Sequence, residues 1–221
     1  MLVFTPELCE LPIEALEQVW ASVDVVQIRP KALGDRSSEP TSARSCYEWA
    51  QRVLDLAQGR PGPRPLLLVN DRVDVAQALA QEGIDGVHLG QHDTPSSVAR
   101  EVLGSEPLIG LSTHNYREVR EAEGMPVDYL GFGAVFPTTT KSGVVHNQSV
   151  NSWIAQGRSK IPVFPIGGIQ PGNAWLLRPL GRAAVGSGIL QAPNPLEAAQ
   201  AIVQALQRHG RGMNRDMNPL H

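Results

Sequence analysis

Two aspartates, Asp71 and Asp93, and three cations, Arg29, Lys31 and Lys141, are the side chains whose types point most directly to chemistry. Carboxylates repel a phosphate unless a divalent cation stands between them. Mg²⁺ suits that place, because it binds through one or two carboxylates together with substrate phosphates and retained water. The three cations would neutralise the same anion from the other side. A second anion site is suggested by glycine: Gly167-Gly168 and Gly186-Ser187-Gly188 are turns whose backbone N–H groups can cradle a phosphate beside a helix start. The pattern therefore predicts two phosphorylated ligands, one of them a metal-bound diphosphate.

These residues share a position in the chain, since each follows a short apolar run. Gln27, Arg29 and Lys31 follow the second run, Asn70 and Asp71 the third, and Gln91 and Asp93 the fourth. Ser112, Thr113 and His114 end the fifth, Thr138-Thr139-Thr140-Lys141 the sixth, and the glycine turns the seventh and eighth. Taken singly, each has a plainer reading. Asp71, Asp93 or Thr94 can cap the helix that follows, Arg29 and Lys31 can form a solvated rim, and Gly167-Gly168 can be a tight turn. His88, inside a run, reads as a hydrogen-bonded core or surface histidine rather than a ligand. The conjunction argues for a site: in a parallel barrel all these ends open onto one face.

The runs that must position them are Leu2 to Thr5, Val23 to Arg29, Pro65 to Asn70, Gly86 to Gly90, Leu108 to Thr113, Tyr129 to Phe136, Pro162 to Gly168 and Ala183 to Ile189. They are short, bounded by turn residues and rich in Val, Ile, Leu and Phe, as strands are. Stretches such as Leu66-Leu67-Leu68-Val69 do not alternate, which suits a parallel sheet covered on both faces. Helical periodicity lies between the runs. Residues 42–58 place Cys46, Trp49, Ala50, Val53, Leu54 and Ala57 on one face, and residues 72–82 do so with Val73, Ala76, Leu79 and Ala80. Asn194, Pro195 and Glu197 form a helix start, followed by a stripe of Leu196, Ala199, Val203 and Leu206. Pro12, Pro95 and Pro171 stand where further helices begin. Eight strands alternating with eight helices predict a single α/β domain, a (β/α)8 TIM barrel over residues 1–208, with a flexible tail over 209–221. An open doubly wound sheet is the competing architecture.

Composition agrees with a globular catalyst. Hydrophobic residues make up 42% of the 221 and charged residues 19%, enough apolar material for a sizeable core. The formal net charge of −3 argues against a nucleic-acid binder, which carries a basic excess. Two cysteines, Cys9 and Cys46, are too few for a disulfide framework and read as thiols of a reducing cytoplasm. No apolar stretch is long enough to cross a bilayer, and no signal peptide is visible, so no membrane partner is expected.

Six stretches, in order, resemble the thiamine-phosphate synthase family. They are Val26-Gln27-Ile28-Arg29-Pro30-Lys31, Asn70-Asp71-Arg72-Val73-Asp74 and Gly86-Val87-His88-Leu89-Gly90-Gln91-His92-Asp93. Gly110-Leu111-Ser112-Thr113-His114-Asn115, Gly133-Ala134-Val135-Phe136-Pro137-Thr138-Thr139-Thr140-Lys141 and Ile166-Gly167-Gly168-Ile169 complete the set. The resemblance implies a closed barrel that joins a hydroxymethylpyrimidine diphosphate to a hydroxyethylthiazole phosphate. Loss of pyrophosphate leaves a pyrimidinylmethyl cation, which the thiazole nitrogen captures.

Carried over by motif, Arg29, Lys31, Asn70 and Lys141 hold the diphosphate, with Asp71 and Asp93 on Mg²⁺. Gln27 and Ser112 face the pyrimidine. Thr138 and Thr140, with backbone groups of Gly168, Gly186 and Ser187, take the thiazole phosphate. Arg29, Lys31, Ser112 and Lys141 are the expected catalytic residues. The segment Ser142-Gly143-Val144-Val145-His146-Asn147-Gln148-Ser149 departs from the Pro-rich pattern of the family, and Pro30 removes a backbone donor from the basic motif. Loops 32–41 and 139–149 are long and polar enough to act as lids. Two other functions compete: a thiazole tautomerase of the same superfamily with His114 as acid–base group, and a non-catalytic barrel that binds a phosphorylated ligand.

Overall fold

A computed structural model describes residues 1–31, 42–137 and 159–207. Seven parallel strands form one curled sheet in sequence order: β1 (Leu2–Phe4), β2 (Val25–Ile28), β3 (Leu66–Asn70), β4 (Gly86–Leu89), β5 (Leu108–Thr113), β6 (Tyr129–Gly133) and β7 (Val163–Ile166). Helices α1 (Pro12–Val19), α2 (Ala43–Gln58), α3 (Val73–Leu79), α4 (Ser96–Leu103) and α5 (Tyr116–Ala122) separate the first six. Two more, α6 (Ser187–Leu190) and α7 (Pro195–Gln207), follow β7.

Period-two alternation along the strands sorts side chains between two cores. Val26, Ile28, Leu67, Val69, Val87, Leu89, Ile109, Leu111 and Leu130 join the large core under the helices. Val25, Leu68 and Tyr129 make a separate small cluster with Met1, Leu108 and Phe164 on the concave face. Further along the same face lie Gln27 on β2, Asn70 on β3, His88 on β4 and, beyond Gly110, Ser112 on β5. The concave face thus runs from an apolar floor to a polar layer, all within apolar-looking strands.

The helices form where their ends are capped and their apolar stripes meet the sheet. The Ser42 side chain accepts from the Ser45 N–H at 3.1 Å, and α2 then buries Cys46, Ala50, Val53 and Leu54 at helical spacing. Asn115 caps α5 by accepting from the Glu118 N–H at 3.0 Å. Asn194 accepts from the Glu197 N–H at 3.2 Å, with Pro195 opening α7 as expected. Of the expected stripe Ala199 is buried and Leu206 packs against the core, whereas Ala198 and Ile202, not Leu196 and Val203, complete the buried face of α7. The small alanines let the helix lie close to its neighbours.

Two expectations fail locally. The run Ala183 to Ile189 is not a strand: Ala184 bridges Ile166, Val185 bridges Leu2, and the chain then turns at Gly186 into α6. Pairing stops there because Gly186 takes a backbone conformation outside the strand region, with φ −112° and ψ −94°. Pro171 leads into turns and a 3-10 helix, Ala174–Leu177, not an α-helix.

The end of the sheet away from the polar layer is pinned by two similar ion pairs. Asp85 accepts from the Leu67 N–H at 2.7 Å and pairs with Arg64. Asp128 accepts from the Ile109 N–H at 2.7 Å and pairs with Arg100. Each carboxylate ties an incoming strand to its neighbour at the bottom of the sheet, where such contacts serve stability. Among the described residues, no helix is long and apolar enough to cross a membrane.

Candidate active site

The C-terminal ends of the strands surround one cavity. Its lining includes Gln27, Arg29 and Lys31 from the end of β2, Asn70 from β3, and Ser112 and His114 from β5. Gly168, Gly186 and Ser187 line the opposite side. Every one of these predicted site residues meets there. Thr138, Thr140 and Lys141, the atypical segment 142–149, the loop 32–41 and the tail 209–221 lie outside the described residues.

The glycine side of the cavity is built by close backbone approach. A Cβ on Gly188 would stand 2.1 Å from the Ile169 carbonyl oxygen, and one on Gly168 2.3 Å from that of Pro137. Gly168 also has a φ of +62°, a region that side chains rarely adopt. No larger residue would let the turns after β7 and at Gly186 come together over the cavity.

The two aspartates line a neighbouring cleft with Arg72, Asp74 and Thr94. Asp71 does not cap α3. It sits at φ 64°, and the Arg72 N–H donates across it to the Asn70 carbonyl at 2.8 Å, a γ-turn that leaves the helix to start at Val73. A non-glycine residue in this region is held against its preference, a pattern that clusters at functional sites. Asp93 does not cap α4 either. Its Oδ2 accepts from the Gly90 N–H at 2.6 Å, so the carboxylate folds over the end of β4 and remains exposed.

Arg29 lines the cavity and lies in the field of the cleft's two aspartates. Burial lowers the proton affinity of its guanidinium, while Asp71, then Asp93 and Glu7, act in the opposite direction and hold it charged. Both carboxylates therefore lie within electrostatic reach of a cation that lines the cavity. Two carboxylates near a cavity lined by Arg29 and Lys31 are the kind of donor set that a hard divalent ion takes, keeping part of its water. Among the described residues no group of three or more His, Cys, Asp or Glu is arranged to hold a metal ion.

Sequence reasoning missed the hydrogen bonds at the floor of the cavity, which His88 lines. His88 is buried as a hydrogen-bonded core histidine, with Nδ1 2.9 Å from the Tyr129 hydroxyl and Nε2 2.9 Å from Ser112 Oγ. Burial raises the Tyr129 phenol above its ordinary value, and a hydrogen bond from Gln27 opposes the rise. Gln91 Nε2 donates to the Ser112 carbonyl at 2.6 Å. His114 Nδ1 lies 3.1 Å from Glu118 Oε2, which also accepts from the His114 N–H at 2.8 Å. The one available signal for Tyr129 was a polar-tipped aromatic at a concave position, facing Gly110 across the strand pair.

Comparison with known proteins gives consistent results. The family model described as thiamine monophosphate synthase matches residues 1–189. The thiamine-phosphate synthase of Chlorobium phaeovibrioides is 35% identical over 217 residues, covering 91% of this chain and 95% of that protein. That of Haloarcula marismortui is 37% identical, covering 90% and 89%. Among solved structures, thiamine phosphate pyrophosphorylase from Pyrococcus furiosus superposes with a TM-score of 0.73 at 29% identity, covering 93% of this chain and 94% of that one. Orotidine 5'-phosphate decarboxylase from Pyrococcus horikoshii, at 16% identity and a TM-score of 0.63, shares the fold.

Proposed function

The chain belongs to the thiamine monophosphate synthase family, and from that premise we propose that it joins a pyrimidine diphosphate to a thiazole phosphate with release of pyrophosphate. It is a transferase of the thiamine-phosphate synthase type. The observation that carries the reading is the convergence of Gln27, Arg29, Lys31, Asn70 and Ser112 with two glycine turns around one cavity, beside a cleft lined by Asp71 and Asp93. We extend the architecture to a closed eightfold barrel, in which Ala184 and Val185 take the place of the eighth strand between β7 and β1.

In this reading Gln27 and Ser112 hold the pyrimidine ring. Arg29, Lys31 and Asn70 hold its diphosphate, and the turns at Gly168 and Gly186-Ser187 hold the thiazole phosphate. The bond from the pyrimidine methylene carbon to the diphosphate oxygen breaks, its electron pair leaving with the diphosphate. The thiazole nitrogen then donates its lone pair to the methylene carbon. Charge grows on the leaving oxygens, so fixed cations at that point lower the barrier more than a strong base would. Arg29 is well suited, because burial keeps water from screening it while the aspartates keep it charged. Asp71 and Asp93 would hold Mg²⁺, which supplies further positive charge to the leaving group when bound. Thr138, Thr140 and Lys141 take the roles that the family motif implies. No step requires His114 to move a proton, in contrast to the tautomerase alternative. Incubation with both substrates and Mg²⁺ tests the proposal: thiamine phosphate and pyrophosphate should form in equal amounts, and either substrate alone should yield neither.

A further inference from the structure

Asn173 immediately precedes the 3-10 helix Ala174–Leu177, where an asparagine side chain ordinarily accepts from an N–H of the helix it opens; here it makes no such bond. Its amide reaches back instead. Nδ2 donates to the Gly168 carbonyl at 2.9 Å, and Oδ1 accepts from the Gln170 N–H at 2.8 Å. The Asn173 N–H also donates to the Gln170 carbonyl at 3.1 Å, so the loop between these two residues is closed twice. With one acceptor and one donor as partners, the amide has a single consistent orientation.

We infer that Asn173 is a positioning residue: by holding the Gly168 carbonyl outside the cavity, it turns the Ile169 N–H toward the phosphate of the thiazole ligand. This rests on the synthase reading and deepens it. A trans peptide unit is planar, with its C=O and N–H pointing in opposite directions, so fixing one fixes the other. The Gly167 carbonyl accepts from the Phe136 N–H at 3.1 Å, which sets the Gly168 N–H. The Gly168 carbonyl on Asn173 sets the Ile169 N–H in the same way. Gly168 and Ile169 line the cavity, whereas Phe136 and Asn173 do not. Both carbonyls are therefore drawn to the outer side of the turn, and both N–H groups are left on the side of the cavity. Among the described residues no backbone carbonyl accepts from either of them. The turn needs such a tie because Gly167 and Gly168, at φ 101° and 62°, are of a type that passes between positive and negative φ at little cost.

The test uses the full-length enzyme with the thiazole phosphate, the corresponding unphosphorylated alcohol, and inorganic phosphate. Asn173→Ala removes both side-chain bonds. Asn173→Asp keeps the acceptor for Gln170 and loses the donor to Gly168, which separates turning the peptide from closing the loop. Each variant should raise KM for the thiazole phosphate about 10-fold and leave KM for the pyrimidine diphosphate unchanged. The preference for the thiazole phosphate over the alcohol should shrink by a similar factor, and thermal unfolding identifies a variant that has simply lost its fold. Parental preference in either folded variant would overturn the inference while leaving the synthase reading intact, as would an equal loss toward phosphate and alcohol. The wild type supplies a second measurement: inorganic phosphate should move the Ile169 amide proton resonance downfield, and an unmoved resonance would overturn the inference even if neither variant folds. A wild type that makes no thiamine phosphate from both substrates would instead remove the synthase reading, and the phosphate titration would still decide whether the turn holds an anion.

Discussion

Asp71 and Asp93 stand at the ends of adjacent strands and face one cleft, although neither is placed there by a helix cap. One is turned in by a γ-turn at φ 64°, the other by a hydrogen bond to the Gly90 N–H. Arg29 lies within the field of both. The local backbone is thus spent on orienting carboxylates rather than on starting α3 and α4, which begin uncapped by either side chain.

Replacing either carboxylate by its amide separates charge from shape. Asn tolerates the left-handed region, so Asp71→Asn should keep its turn and the fold. Turnover should fall by about 100-fold, with a melting temperature close to that of the parent. Steady-state pyrophosphate release and calorimetry check both parts. By contrast, His114→Asn should cost much less than Asp93→Asn; the reverse order would favour the tautomerase.

Arg29→Gln should have opposite effects on two readouts. Without its neighbouring cation, the aspartate pair has more uncompensated negative charge, so Mg²⁺ should bind the free enzyme a few-fold more tightly. The leaving diphosphate loses its buried partner, so turnover should fall at least ~10-fold. Weaker Mg²⁺ binding together with the loss of turnover would contradict the charge arrangement proposed.

Asp128→Ala removes the acceptor of the Ile109 N–H and the partner of Arg100 at the far end of the sheet. A part-buried donor left unpaired should cost about 1–3 kcal/mol of stability. Turnover should stay near the parent value, because the change lies at the opposite end of the strands from the cavity. Denaturant unfolding and a rate assay measure the two separately.

Stability should fall in alkali. Burial pushes the Cys46 thiol up to about 12 from an ordinary 9.0, and raises the Tyr129 phenol in the same direction. In the unfolded chain both groups lose their protons earlier, so above about pH 9 the unfolded state binds fewer protons and is favoured as pH rises. Cys46→Ala should flatten part of that slope between about pH 9 and pH 12 in urea midpoints measured across the range.

Much of this was legible in the sequence. The first seven apolar runs became strands because their outward positions fill one core, and Gln27, Arg29, Lys31, Asn70, Ser112 and His114 met the glycine turns in one cavity, with Asp71 and Asp93 in a separate cleft. The eighth run was misread because Ala183-Ala184-Val185 is as apolar as a strand, while Gly186 ends its pairing after two bridges. Pro171 was misread because a proline at a helix start does not say whether the turns that follow are α or 3-10. His88 was read as a satisfied core or surface histidine and is the buried one of these, yet its partners were not foreseen. A strand reveals which face a residue takes, but the pairing of His88 with Ser112 and Tyr129 depends on register across three strands, which periodicity alone does not determine.

The most direct test of the aspartate cleft is the Mg²⁺ dependence of pyrophosphate release, with both substrates present. EDTA should abolish release from the wild type, added Mg²⁺ should restore it, and Asp93→Asn should need at least ~10-fold more Mg²⁺ for half its maximum. Undiminished release in EDTA, or one Mg²⁺ curve shared by the two proteins, would contradict the account.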